Sequence, residues 1–125
     1  MTDITKTIPD FKSELNLTGP ATVTVKSELK YSRSTRPTTV PVGTKVDMYF
    51  SPSGTRGYFK FDGLVRPVSL IRHCNRFSFN KMPSVSTLKR WDDEGYCKTI
   101  TGKKTEPDGF GDDGSPSWLL VMGMI

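Results

Sequence analysis

Apolar and polar residues alternate with a period of two through much of the first half of the chain. From Ala21 to Tyr31 the odd positions Val23, Val25, Leu29 and Tyr31 are apolar, with Ser27 the exception, while Thr22, Thr24, Lys26, Glu28 and Lys30 fall between them. That spacing predicts a half-buried strand. Lys45 to Phe50 and Tyr58 to Phe61 predict two more, and Leu64-Val65 a fourth. Pro41-Val42-Gly43-Thr44, Ser51 to Gly57 and Asp62-Gly63 are the intervening turn signals. Ser32 to Thr39 is polar and basic and predicts an exposed loop. Ahead of the strands, Ile8, Phe11 and Leu15 stand at helical spacing between Pro9 and Gly19, which predicts a short helix in an N-terminal arm.

After Pro67 the period changes. Val68, Leu70, Ile71, Cys74 and Phe77 form a helical stripe with Arg72 and Arg76 on its outer side. Phe79 to Pro83 is a connection. A second helix follows, capped by Ser84 or Ser86, anchored by Leu88 and Trp91 on one face, and stopped by Gly95. Tyr96 to Thr105 predicts a hairpin about Thr101-Gly102. Glu106 to Gly114 is an acidic, glycine-rich loop, and Ser115-Pro116-Ser117 has the form of a helix start. Trp118 to Ile125 is apolar on every side except at Gly123, so it must be buried or form an interface, such as that of a homodimer.

These elements predict an α+β chain. A small basic β-sheet or barrel spans about 20–66, after an arm over 1–19. A helix-turn-helix-like unit with a β-hairpin and a buried C-terminal segment spans 67–125, and the parts share one core. At 125 residues such a chain buries enough surface to fold without a metal or a disulfide. No apolar run approaches a membrane span, and Met1 to Thr7 lacks the apolar centre of a signal peptide, so a soluble cytoplasmic protein is expected. In that compartment Cys74 and Cys97 are expected free and buried.

Charge sharpens the picture. The formal net charge is +5, but Lys26 to Arg76 alone carries +7, with ten bases against Glu28, Asp47 and Asp62. From Lys81 onward six bases face seven acids. A basic first two-thirds favours a polyanionic partner, most simply nucleic acid. The candidate contacts in the strands and loops are Lys26, Lys30, Arg33, Arg36, Arg56, Lys60, Arg72 and Arg76.

The order helix, turn, helix, hairpin is that of a winged helix-turn-helix. Within it, Ser86-Thr87-Leu88-Lys89-Arg90-Trp91-Asp92-Asp93-Glu94-Gly95-Tyr96 resembles the second-helix motif of MerR-type regulators and phage excisionases. The resemblance covers about a dozen residues. It implies that this helix enters the major groove of duplex DNA while the hairpin touches the backbone. Ser86, Thr87, Lys89 and Arg90 would then face the groove, and Lys98, Lys103 and Lys104 would meet phosphates. Against it, Phe77 to Ser84 is longer than the usual turn of about three to four residues, and three acids follow the reading face. Length, basicity and compactness also resemble those of small accessory proteins of phages and plasmids.

Other chemistries fit less of the chain. Tyr31, Tyr49, Tyr58, Phe59 and Phe61 interleave with Lys30, Arg56 and Lys60, a composition suited to stacking on single strands, although alternation sends Phe59 to the face opposite Tyr58. A basic surface can instead meet an acidic protein, as in a phage-type inhibitor of a host nucleic-acid enzyme. His73, Cys74 and Cys97 lack Cys-x-x-Cys spacing, and Asp108, Asp112 and Asp113 do not match a calcium loop, so no metal or other cofactor is expected. No nucleophile motif accompanies the single histidine, and no enzyme is expected.

Overall fold

The computed structural model describes residues 15–32 and 37–124. The helix expected at Ile8 and Phe11, and the loop bases Arg33 and Arg36, lie outside them. Among the described residues there are eight strands and three short helices: β1 (Thr18–Thr24), β2 (Leu29–Tyr31), β3 (Thr38–Val40), β4 (Lys45–Phe50), β5 (Arg56–Phe61), β6 (Leu64–Ser69), α1 (Leu70–His73), α2 (Val85–Glu94), β7 (Cys97–Lys98), β8 (Lys104–Thr105) and α3 (Trp118–Val121). A 3-10 turn, Cys74–Arg76, continues α1.

Strands β1, β4, β5 and β6 form one antiparallel sheet in the order β1-β4-β5-β6. Alternation sets its two faces: Val23, Val46, Met48, Phe50, Phe59 and Val68 are buried, while Thr22, Lys45, Asp47 and Lys60 between them are exposed. Asp62 and Gly63 join β5 to β6 with φ of +53° and +77°, the geometry of a two-residue hairpin turn. The buried face shares one apolar cluster with Leu88 and Trp91 of α2, Ile100 of the β7–β8 turn, and Trp118, Leu119 and Val121 of α3. Phe77 links the two sides, its ring centroid 6.2 Å from Phe59 and 5.6 Å from Phe79.

Two expectations are corrected. The sheet does not close into a barrel. Its edges β1 and β6 carry Pro20 and Pro67, which have no N–H to donate to a closing ladder. Strands β2 and β3 pair only with each other, Leu29 with Val40 and Tyr31 with Thr38. The chain that predicts one strand from Ala21 to Tyr31 is broken after Thr24, where the Val25 N–H donates to the Thr44 carbonyl and its residue bridges Phe77.

Nor is there a helix-turn-helix. The stripe from Val68 to Phe77 is divided among three structures. Val68 and Ser69 stay in β6, paired with Gly57 and Arg56, because an edge strand tolerates Pro67 and the ladder runs past it. Only Leu70–His73 is α-helical. Phe77 is extended, and beyond it the Ser78 N–H donates to Thr24 and the Asn80 N–H to Ile100, so the chain between α1 and α2 is tied to other elements rather than turned. The hairpin that would have been the wing is present as β7–β8.

The second helix forms where its caps predict. Ser84 Oγ accepts from the Thr87 N–H at 3.2 Å, and Gly95 ends the helix at φ +77°. Ser117 caps α3 in the same way, accepting from Leu120. The apolar tail is used inside the chain: Trp118, Leu119 and Val121 are buried, so they are not on offer to a second copy. No helix among the described residues is long and apolar enough to cross a membrane.

Asp113 holds the acidic loop to the β7–β8 turn. Its Oδ2 accepts from the Thr101 hydroxyl at 2.6 Å, and its Oδ1 from the Ser115 hydroxyl at 2.6 Å and N–H at 3.0 Å. Burial acts to raise this carboxyl, but the bonds from Ser115 and Thr101 outweigh it and hold it below the ordinary range. The folded state therefore favours the carboxylate, a stabilisation present above the ordinary value of 3.8 and lost as the pH falls below it. Asp113→Asn is expected to destabilise the protein by roughly 1–2 kcal/mol at neutral pH. The gap to the parent should narrow on acidification through that range, as read from urea midpoints at each pH; a gap independent of pH would assign the loss to shape, not charge.

Candidate nucleic-acid interface

A basic surface is built around α1 and the 3-10 turn. Four candidate bases meet there from separate segments. Arg72 and Arg76 belong to Leu70–Arg76 itself, Lys26 to the break after β1, and Lys30 to β2. Backbone bonds bring them together: the N–H groups of Lys26 and Ser27 both donate to the Arg76 carbonyl, at 2.6 and 3.2 Å. The Arg76 guanidinium donates in turn to the Glu28 carbonyl at 2.9 Å, fixing its side chain across the β1–β2 connection.

Two clefts lie against this ridge. One, of about 580 Å³, is bounded by Lys30, Tyr31, Pro67, Ser69, His73 and Arg76, with Glu28 its sole acid. Glu28 stands 3.4 Å from the Lys30 ammonium, but both side chains are at least half exposed, so solvent screens the pair and leaves Lys30 largely available to an anion. Tyr31 donates its hydroxyl to the Pro67 carbonyl at 3.2 Å, and the Arg66 guanidinium lies 5.2 Å from its ring centroid. Burial pushes the Tyr31 phenol up to about 12 against the pull of Arg66, so it stays neutral at any working pH. His73 Nδ1 lies 3.3 Å from the Ser69 carbonyl. The other cleft, of about 470 Å³, lies between Lys26, Arg72 and Lys81, with no acid among the described residues of its lining.

The remaining candidates are dispersed. Arg56 and Lys60 are on the exposed face of β5, away from the ridge lining. On α2, Ser86 and Thr87 are drawn into the cap, their hydroxyls 3.1 and 3.0 Å from Ser84 Oγ. Lys89 and Arg90 are exposed beside Asp92, Asp93 and Glu94, also exposed. In the hairpin, Lys98 is exposed, Lys103 stands 4.0 Å from Asp112, and Lys104 lies 5.0 Å from the Tyr96 ring centroid. The carboxylates beside these bases weaken their attraction for an anion.

The interleaved aromatics also separate. Phe59 is fully buried and Phe61 packs on the core, while Tyr49 and Tyr58 pair across β4 and β5 on the opposite face, half-buried. Arg66, counted in the basic segment, is buried and donates to the Thr38 hydroxyl at 2.8 Å; it joins β6 to β3 rather than serving a ligand. His73 is the lining residue that charge reading passed over: it falls within the helical stripe from Val68 to Phe77, but a count of Lys and Arg as the bases leaves it out. Burial raises the neighbouring Cys74 thiol, keeping it protonated and poorly nucleophilic. Among the described residues no three of His, Cys, Asp and Glu gather to hold a metal ion.

No family model, curated protein or solved structure matches this chain. What the basic ridge can do has to follow from its own chemistry.

Proposed function

We propose that this chain is a non-enzymatic protein that binds single-stranded nucleic acid along the Leu70–Arg76 ridge. The observation that carries the reading is the gathering of Lys26, Lys30, Arg72 and Arg76 from separate segments about two clefts, with Glu28 as the one carboxylate lining either cleft among the described residues. Such a surface neutralises phosphates and releases their counterions, which is the main source of affinity for a polyanion. Its four bases are divided between two clefts, which a flexible strand can follow more readily than a stiff duplex. Sequence-specific reading of a duplex needs an element for its groove, and the helix that would have supplied one has its hydroxyls in its cap and acids beside its bases.

The test is a fluorescence-anisotropy titration of a labelled single-stranded oligonucleotide and of its duplex, from about 50 to 200 mM salt. With three to four phosphates neutralised, the logarithm of the single-strand association constant should fall with a slope of roughly −2 to −3 against the logarithm of salt. The single strand should bind more tightly than the duplex throughout. Absence of binding at low salt overturns the proposal and favours an acidic protein as partner. A preference for the duplex returns the exposed face of α2 as the reader.

A further inference from the structure

The clefts on the two sides of the ridge differ in chemistry. The first is polar and charged. The second has a floor of Phe77 and Phe79, an exposed wall of Ile71 and Met82, and bases at its rim. Ile71 is 45% exposed and Met82 39%, so two sizeable aliphatic side chains stand in water next to Lys26, Arg72 and Lys81. Apolar surface of that kind, rimmed by one sign of charge, suits a ligand that is apolar in its body and anionic at its edge.

We infer that this groove receives an unstacked base of the bound strand, with Lys26, Arg72 and Lys81 on the adjoining phosphates. The inference rests on the single-strand reading above and adds to it a contact with the bases. The volume of about 470 Å³ is within the range of small-molecule sites and admits a nucleobase with its sugar. Lys26 and Arg72 stand where the ridge meets the groove, so a strand crossing from the first cleft keeps its phosphates on bases while one base turns inward. Asn75 and Asn80 are exposed lining residues of the groove, and the Asn75 amide carries both a donor and an acceptor for a base edge. Because the walls are aliphatic and amides can meet many base edges, the groove accepts bases of different kind and gives affinity with little sequence preference.

The experiment compares a 15-nucleotide thymidine strand with an abasic strand of the same length and charge. The abasic strand should bind about tenfold more weakly, the equivalent of returning roughly 55 Å² of apolar area to water. Its salt slope should be unchanged, since the phosphates are the same. Ile71→Ser with Met82→Ser should abolish the difference between the strands and leave the slope intact. Both side chains are exposed, so the variant should melt close to the parent, which circular dichroism checks. Equal binding of the two strands overturns this inference alone and leaves the phosphate grip standing. So does a base-dependent difference that survives in the double variant. Dimerisation of the free protein that the double variant abolishes would put a second copy in the groove and also overturn it. Failure of both strands to bind at low salt overturns the inference together with the reading beneath it.

Discussion

Gly114→Ala is expected to cost this protein several kcal/mol, on the order of 3–5, and to detach its C-terminal segment from the sheet. Gly114 has a φ of +80°, which a side chain rarely adopts, and it lies directly on β1. A Cβ there would run into the Gly19 nitrogen and stand 2.5 Å from the Gly19 Cα and 2.9 Å from the Thr18 carbonyl carbon. All three atoms are backbone, so no flexible side chain can move aside. The same approach is sealed by the Thr18 hydroxyl, which donates to the Gly114 carbonyl at 2.6 Å. Pushing the loop away breaks that bond and withdraws support from Ser115 and Ser117, both fully buried, and from Trp118 and Leu119 beyond them. A loss of this size is a large part of the ~5–15 kcal/mol available to an ordinary domain. Gly95→Ala separates sterics from backbone preference. Gly95 has a nearly equal φ of +77° but open space around it, so that change should cost only about 1 kcal/mol. Urea denaturation followed by tryptophan fluorescence distinguishes them, since Trp118 is buried behind the loop. If the two variants unfold at the same midpoint, the close seating of the loop on β1 is wrong.

That contact is of the kind a sequence hides, and the contrast with what was legible is physical. Turn and cap chemistry is local, so it could be read in place: Asp62-Gly63 makes its hairpin, Ser84 and Gly95 bound α2, Ser117 starts α3, and Trp118 to Val121 is buried as its composition demands. Pairing is not local. Nothing around Pro67 says that the strand continues through it, because what permits this is its position at the edge of the sheet. The helical stripe from Val68 to Phe77 is realised only over Leu70–Arg76, overridden at one end by the ladder to β5 and at the other by the bridge to Val25. For the proposed site, charge counting places Lys26, Lys30, Arg72 and Arg76 in one basic segment, but their arrangement about α1 depends on the Lys26–Arg76 backbone bond between distant parts of the chain. Composition also treats every base alike. It cannot tell Arg66, buried against Tyr31 and Thr38, from Arg72 in water, nor foresee that Ser86 and Thr87 are engaged at the cap.

The location of the grip yields the other large effect. Lys26→Glu with Arg72→Glu is expected to weaken binding of single-stranded DNA by about 100-fold at 50 mM salt and to make the salt slope shallower by roughly 1.4, the share of two phosphates. Lys89→Glu with Arg90→Glu should change the affinity by no more than about threefold. Each pair takes the formal net charge from +5 to +1, so a response to overall charge would be the same in both. Only a local contact separates them. Lys26 and Arg72 line a groove with no acid among its described residues, where a phosphate would meet their charge. Lys89 and Arg90 share their exposed surface with Asp92, Asp93 and Glu94, which already reduce the attraction for any phosphate near that helix. All four side chains are exposed, so neither variant should lose its fold, and thermal melts verify that before affinities are compared. Equal losses in the two variants would show attraction to the molecule as a whole and remove the ridge as a site. A loss confined to the Lys89 and Arg90 pair would move the interface to α2, and with it the partner from a single strand to a duplex.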